Sequence, residues 1–220
     1  MKILLRLLYV LGGLLIAAVL AFATLQPIKV LPRIKLAPAF ALRDQAGATL
    51  TSEDLRGQIV LYNITYTGCQ APCPQTAATL HTVQQRLGAV STKGIPVKLV
   101  TISFDPDHDS QAALAAYAGR VGADPTVWRV ATGDPAPLKV AIGDGFSLYY
   151  APQADGSFTF DPAFFLVDGW GILRAEYRTA EPGIDRILRD IGLITSEVQN
   201  STGAGKVAYE AAHLFLCYAK

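Results

Sequence analysis

The chain has 220 residues, a formal net charge of +1 and 51% hydrophobic residues. This length is enough for one domain with a substantial core. The small net charge argues against nucleic-acid binding through a strong basic field. Three cysteines are too few for a scaffold held mainly by disulfides, so an isolated pair with one late cysteine favours redox or metal chemistry.

The first 25 residues have a membrane-targeting pattern. Lys2 and Arg6 surround the start of an apolar segment, and the uncharged run from Leu7 to Leu25 is long enough to span a bilayer as a helix. Positive residues before the span favour a cytoplasmic N-terminus with the rest of the chain outside. A cleaved signal peptide is the alternative, because Ala21-Phe22-Ala23 resembles a cleavage site. Under both interpretations the cysteines lie where disulfides persist, and the length of the run favours a retained anchor.

The composition beyond the anchor predicts the remaining segments. Residues 26–38, with three prolines and three positive residues, are predicted to be an extended linker. The domain is predicted from residue 39 to residue 194, and the polar residues 195–205 are predicted to be a second linker. A helix over residues 206–218 is predicted to dock on the domain, a partner or the membrane, because it is too apolar for a free tail.

A pair of cysteines between a strand and a helix is the main chemical feature. The apolar run Ile59–Ile64 predicts a buried strand, and residues 74–87 have helical periodicity. Cys69 and Cys73 therefore lie near a helix N-terminus, which favours thiolate over thiol. At this spacing the pair is able to close a short disulfide or to hold a soft metal ion such as Cu(I). An inert structural disulfide is the alternative.

The remaining elements predict a mixed sheet flanked by helices. Two further strands are separated by an alanine-rich helix, and a late hairpin turns at Asp168-Gly169-Trp170-Gly171 before another helix. The predicted segments are residues 97–104 and 126–131 for the strands, 111–119 for the first helix and 184–191 for the last.

The cysteine segment resembles a known signature. Residues 66–74, Tyr-Thr-Gly-Cys-Gln-Ala-Pro-Cys-Pro, are similar to the T-x-C-P-x-x-C-P motif of SCO/SenC proteins, and residues 40–47 and 100–109 agree with that family. The resemblance runs from about Pro38 to Leu193. It implies a thioredoxin-like fold and copper delivery to, or reduction of, the Cu(A) site of cytochrome c oxidase. Subunit II of the oxidase, or another extracytoplasmic copper or disulfide protein, is the implied partner.

One residue that the resemblance implies is absent. SCO proteins complete their copper site with a histidine before the last hairpin. The matching position is near Phe160 when the family pattern is aligned on Asp168-Gly169, and near Pro162 when it is aligned on Asp161. No histidine occurs between His108 and His213. Copper is therefore expected as a cargo of Cys69 and Cys73, with the third ligand unknown.

Three histidines are candidate substitutes. His81 lies two turns beyond Cys73 on the predicted helix, about 12 Å away by helix rise, and is expected to be a packing or surface residue. His108 lies in a loop that follows a predicted strand. The same loop contains Asp105, Asp107 and Asp109, which predict either an acidic rim or an aspartate–proline turn. His213 and Cys217, four residues apart, share a helix face that is able to chelate a metal or bring a resolving thiol to the pair.

Three functions follow from these features. The first is a membrane-anchored, extracytoplasmic SCO-like protein in which Cys69 and Cys73 cycle between dithiol and disulfide and bind copper when reduced. The second is a thiol–disulfide oxidoreductase that needs no metal. The third is a non-catalytic binding module in which the disulfide only supports the fold.

Overall fold

Two parallel strands form the centre of the sheet and lead to the cysteine pair. In the computed structural model, which describes residues 2–25, 28–201 and 203–215, β4 (Ile59–Thr65) is buried at every position. β5 (Val97–Ser103) pairs with it in parallel, from Ile59 opposite Val97 to Thr65 opposite Ser103. Continuous runs of Val, Ile and Leu are typical of parallel strands that are covered on both faces, and both strands are found where the sequence predicts them.

Among the described residues, eight strands form the main sheet and two more form a separate hairpin. The other strands of the main sheet are β1 (Lys35–Leu36), β2 (Ala41–Asp44), β3 (Thr49–Thr51), β6 (Trp128–Thr132), β9 (Phe164–Val167) and β10 (Ile172–Tyr177). The hairpin consists of β7 (Tyr150–Pro152) and β8 (Phe158–Phe160). The order in the main sheet is β1-β10-β9-β4-β5-β6-β2-β3, with β6 parallel to β5 and the outer strands antiparallel to their neighbours.

The helices of the described residues are α1 (Lys2–Leu25), α2 (Cys73–Arg86), α3 (Gln111–Val121), α4 (Pro135–Val140), α5 (Ile184–Asn200) and α6 (Ala204–Phe215). Of these, α2 connects β4 to β5 and α3 connects β5 to β6. α2 buries Cys73, Ala77, Leu80 and Val83, which recur at helical spacing and so form one apolar stripe. This stripe fixes the rotation of α2, and with it the orientation of Cys73.

The described residues divide into two units, one from Arg33 to Ser196 and the other within residues 1–32 and 197–220. The first contains the whole sheet with its central aromatic and aliphatic core. In the second, Ala212 and Tyr209 of α6 pack against Val30 and Ile28, which follow α1. α1 is long and apolar enough to cross a membrane, a test that a signal sequence also passes.

Both predicted linkers are shorter in the structure: a strand forms near the end of the first, and α5 and α6 take residues from both ends of the second. Lys35 and Leu36, inside the predicted linker 26–38, pair with Leu173 and Ile172 as the edge strand β1. α5 continues to Asn200, so residues 195–200 are helical rather than linker. Thr195 is polar but is only 1% exposed, and its hydroxyl donates to the carbonyl of Ile191. The polar side chain of Thr195 is therefore compatible with a buried helical position, because the carbonyl of Ile191 accepts the hydrogen bond of its hydroxyl.

Candidate redox and metal-binding site

Cys69 and Cys73 form a disulfide where β4 passes into α2. Their Cα atoms are 5.8 Å apart, and Cys73 is the first residue of the helix. Cys73 is 3% exposed, whereas Cys69 is partly exposed at the edge of the main core. The two sulfurs are therefore inequivalent, and Cys69 is the more accessible to a reaction partner. The predicted pairing of these two cysteines is present in the structure.

The buried sulfur has a polar neighbour at the end of β4. The hydroxyl of Thr65 lies 2.8 Å from Sγ of Cys73, and Thr65 is only 2% exposed. A disulfide sulfur carries no proton, so in this state the hydroxyl donates. In the reduced protein the same donor would favour the thiolate, since a hydrogen bond to a charged form stabilises that form. The sequence analysis did not single out Thr65, because only the tertiary structure brings it to Cys73.

A buried carboxylate fixes the loop before Cys69. Asp109 is 1% exposed and accepts hydrogen bonds from the backbone N–H of Thr67 at 2.8 Å and from the Thr67 hydroxyl at 2.5 Å. The hydroxyl of Ser103, at the end of β5, donates to the same carboxylate. Asp109 thereby connects the cysteine loop, which is residues 66–72 between β4 and α2, to the sheet. The sequence shows three similar aspartates within five residues, and nothing local distinguishes Asp109 from Asp107.

A cation also contacts the loop before Cys69. The guanidinium of Arg120 on α3 donates to the carbonyl of Thr67 at 3.0 Å and lies 5.2 Å from the ring centroid of Tyr117. The spacing of three residues places Tyr117 and Arg120 on one helix face. Arg120 is exposed, but these two contacts hold its charge beside the cysteine loop.

A groove of about 560 Å³ opens beside the disulfide between α2 and α3. Its walls carry both cysteines, small residues of α2, and residues at the end of α3, among them Pro74, Ala77, Ala78, His81, Tyr117, Arg120 and Gly122. Gly122 has φ of +69°, and a Cβ there would lie 3.1 Å from the ring of His81. Burial raises the pKa of the Tyr117 phenol to about 12, so it is a neutral donor.

An aromatic cluster packs around Tyr66, the first residue of the cysteine loop. Tyr66 packs against Phe104, Phe158 and Phe160, with ring centroids 5.3, 5.0 and 6.3 Å away. The N–H of Phe158 also donates to the Tyr66 hydroxyl at 3.4 Å. These contacts dock the β7–β8 hairpin onto the cysteine loop. Phe160, one of the two positions where the sequence analysis expects the histidine of the family, thus lies in an apolar cluster.

The three histidines lie in different surroundings. His108 has a side chain that is 79% exposed, and its Nδ1 forms a hydrogen bond with Asp105 at 2.9 Å. His81 lines the groove. His213 lies in the other unit and forms a 2.8 Å hydrogen bond with Glu197, whose side chain is 1% exposed. Cys217 lies outside the described residues.

No group of three or more His, Cys, Asp or Glu side chains with metal-binding geometry occurs within residues 2–25, 28–201 and 203–215. Within that part of the chain, the soft donors at the site are the two sulfurs, which must be reduced to thiolates before they bind a metal. Two thiolates suit Cu(I). The proposed assignments of His108 and His213 as third ligands remain predictions.

Comparison with known proteins identifies the family. A family model described as SCO1/SenC matches residues 30–195, which include the sheet, the cysteine loop and the groove. This chain belongs to the SCO1/SenC family. The SCO1 protein homolog of Bacillus subtilis is 24% identical over 155 residues, covering 69% of this chain and 79% of that protein.

Solved structures agree with the family assignment. Bradyrhizobium japonicum ScoI with copper bound aligns with a TM-score of 0.59 and 26% identity, covering 71% of this chain and 98% of that one. BsSco, a member of the Sco family of cytochrome c oxidase assembly proteins in which a disulfide switch was identified, aligns with a TM-score of 0.65 and 23% identity, covering 75% and 96%. The predicted thioredoxin-like SCO fold is therefore confirmed.

Proposed function

We propose that this SCO protein acts in assembly of the Cu(A) site of cytochrome c oxidase by cycling Cys69 and Cys73 between disulfide and dithiol, and that the dithiol carries Cu(I) as cargo. The observation that supports this most directly is the asymmetric disulfide at the start of α2. Its outer sulfur is accessible and its inner sulfur is buried against a hydroxyl. An inert structural disulfide has no need of this asymmetry.

The asymmetry gives each sulfur a role in exchange. In the reduced protein the Cys69 thiolate attacks a disulfide of the target and forms a mixed disulfide, releasing one target thiolate. The Cys73 thiolate then attacks Cys69 Sγ and releases the second target thiolate. Two electrons pass from the SCO protein to the target, the target thiolates take up protons, and the Cys69–Cys73 disulfide is restored. The helix N-terminus at Cys73 and the Thr65 hydroxyl both favour the thiolate that this second step needs.

Copper is assigned to the same sulfurs. Two thiolates provide the soft donors that Cu(I) prefers, and the oxidised pair provides none. Loading and release of the ion are therefore coupled to the redox state of the pair. The copper-bound ScoI relative supports copper as the cargo, although the position of the family histidine holds Phe160 or Pro162 in this chain.

The location proposed for this chemistry is the extracytoplasmic face of the membrane. α1 provides the single-pass anchor, with Lys2 and Arg6 favouring a cytoplasmic N-terminus. The domain then faces the compartment where the disulfide form persists.

Titration of Cu(I) against a competing chelator tests the copper assignment. The full chain is reduced, held in detergent, and compared with Cys69→Ser, Cys73→Ser, His108→Ala and His213→Ala. We expect one-to-one binding that each serine variant abolishes. Binding that survives both serine substitutions would contradict the assignment. Loss of binding in one histidine variant alone would identify the third ligand.

Metal-independent thiol–disulfide exchange is the second candidate function. It is favoured by Phe160 and Pro162, which cannot bind copper and stand where the resemblance implies a copper-binding histidine. It predicts that the reduced chain converts a disulfide peptide to the dithiol at the same rate with and without a Cu(I) chelator, while binding Cu(I) only weakly. Tight one-to-one copper binding would exclude it in favour of the first proposal.

A further inference from the structure

We propose that the groove between α2 and α3 seats an extended segment of the target protein beside its reacting cysteine, and that Arg120 selects a segment with a carboxylate side chain. The inference rests on the dithiol–disulfide exchange proposed above and adds the chemistry of the partner. It does not depend on copper, because the groove and the charge are present beside the disulfide itself.

The position of the groove follows from the reaction. A target sulfur must reach the accessible Sγ of Cys69, so the residues next to it on the target chain must lie over the surface around Cys69. The groove begins at this cysteine pair. Its volume of about 560 Å³ lies within the range of about 300–1,000 Å³ that is usual for ligand sites. A few residues of an extended chain fit such a volume.

The side chains along the groove suit a peptide backbone. Pro74, Ala77 and Ala78 on the α2 wall are small, so a backbone is able to approach that wall closely. Tyr117 contributes to the α3 wall and is only 5% exposed, so this wall presents mainly apolar surface to a docked segment.

The positive charge of Arg120 in the groove favours a target segment that carries a carboxylate. Arg120 lines the groove, whereas no Asp or Glu is among the described residues that line it. The bond to the Thr67 carbonyl and the contact with the Tyr117 ring hold the guanidinium in place. A guanidinium has five N–H donors in a planar fork that matches a carboxylate. The whole chain has a net charge of only +1, so a preference for acidic segments has to arise locally at this group.

Exchange with charged peptides tests the proposal. The full chain carrying Cys217→Ser is reduced in detergent and mixed with three synthetic disulfide peptides that differ only beside their cysteines, where they carry two aspartates, two serines or two lysines. Each turnover oxidises the Cys69–Cys73 dithiol and reduces the peptide disulfide, and second-order rates are measured by acid quench. Arg120→Glu reverses the charge in the groove. Lys139→Glu makes the same change in net charge on α4, outside the groove, and is the matched control.

We expect the aspartate peptide to react about fivefold faster than the lysine peptide at low ionic strength, with the ratio falling as salt is added. Arg120→Glu is expected to reverse the order, and Lys139→Glu to keep it. Equal rates for the three peptides, or an unchanged order in Arg120→Glu, would overturn the docking proposal while leaving the exchange function intact. If the reduced chain converts none of the peptides, the exchange function itself fails and the docking proposal fails with it.

Discussion

The hydroxyl of Thr65 lies 2.8 Å from Sγ of Cys73, and both residues are almost completely buried. A hydrogen bond to a charged group contributes about 1.5–3 kcal/mol, so this contact is large enough to alter the chemistry of the thiol. It also connects the end of β4 to the first residue of α2, which are eight positions apart in the chain. The reactivity of the buried cysteine therefore depends on a strand residue that precedes the cysteine motif.

We predict that Thr65→Val lowers the thiolate fraction of Cys73 about tenfold at a given pH, because the donor that stabilises the thiolate is removed. The thiolate is followed by its ultraviolet absorbance as a function of pH in a Cys69→Ser, Cys217→Ser background. Thr65→Ser keeps the hydroxyl and is expected to behave like Thr65. Identical titration curves for the valine and serine variants would show that the hydroxyl has no influence on the thiol.

Asp109 is predicted to hold the loop that precedes Cys69. Asp109→Asn keeps the shape of the side chain but removes the negative charge that accepts from Thr67 and Ser103. We expect the amide hydrogen of Thr67 to exchange with solvent at least tenfold faster, since hydrogen bonds to charged groups contribute about 1.5–3 kcal/mol. Asp107→Asn, in an exposed position two residues away, is the control and is expected to have no such effect. Unchanged exchange in Asp109→Asn would contradict the assignment.

His108 and Asp105 form a pH-dependent pair. The hydrogen bond to Asp105 is the largest of the effects that raise the pKa of His108 above its usual value, and the charges of Asp105, Asp107 and Asp109 add to it. Because the folded-state pKa is raised, the pair stabilises the fold fully below the unfolded pKa of about 6.5, and this contribution is lost as the pH rises through the folded pKa. NMR titration is expected to show a larger decrease in the His108 pKa in Asp105→Asn than in Asp107→Asn. Equal decreases would contradict the ranking of the two carboxylates.

Asp168 and Arg174 form an ion pair in which neither side chain is exposed, with a separation of 2.9 Å. Asp168 also accepts from the backbone N–H groups of Trp170 and Ile172, so it stabilises the β9–β10 turn. We predict that Asp168→Asn lowers the free energy of unfolding by about 1.5–3 kcal/mol, because it removes the charged group that accepts a hydrogen bond from the buried guanidinium of Arg174. Urea unfolding measures this change. Glu53→Gln, which breaks an exposed pair with Arg56, is the control and is expected to cost less than about 1 kcal/mol.

Introducing a histidine before β9 is predicted to strengthen copper binding. The resemblance to SCO proteins implies a copper-binding histidine near Phe160 or Pro162, and Phe160 lies in the aromatic cluster around Tyr66. We expect one of Phe160→His and Pro162→His to raise Cu(I) affinity at least tenfold over the parent, because an imidazole adds a third donor to the two thiolates. The chelator titration described above provides the measurement. Unchanged affinity in both variants would place the third ligand elsewhere.

Most of the sheet was predictable because its signals are local. The runs in β4 and β5 are long and apolar, and the turn at Asp168-Gly169-Trp170-Gly171 has a strong hairpin composition, so these elements occur where the sequence predicts them. Short elements were less predictable. The apolar run at residues 146–150 has the composition of a strand, but β7 is found at Tyr150–Pro152, because Phe146 and Leu148 are buried in the main core instead.

The sequence by itself determined that two cysteines lie between a buried strand and a helix, and that they carry the SCO/SenC signature. These features depend on residues that are close together in the chain. The packing of distant segments determines which sulfur is accessible, which hydroxyl contacts the other sulfur, and that Asp109 and Arg120 both bind Thr67 in the cysteine loop. The physical reason is that the parallel β4–β5 pairing and the packing of α2 and α3 bring together residues from 65 to 120, and no local pattern encodes those contacts.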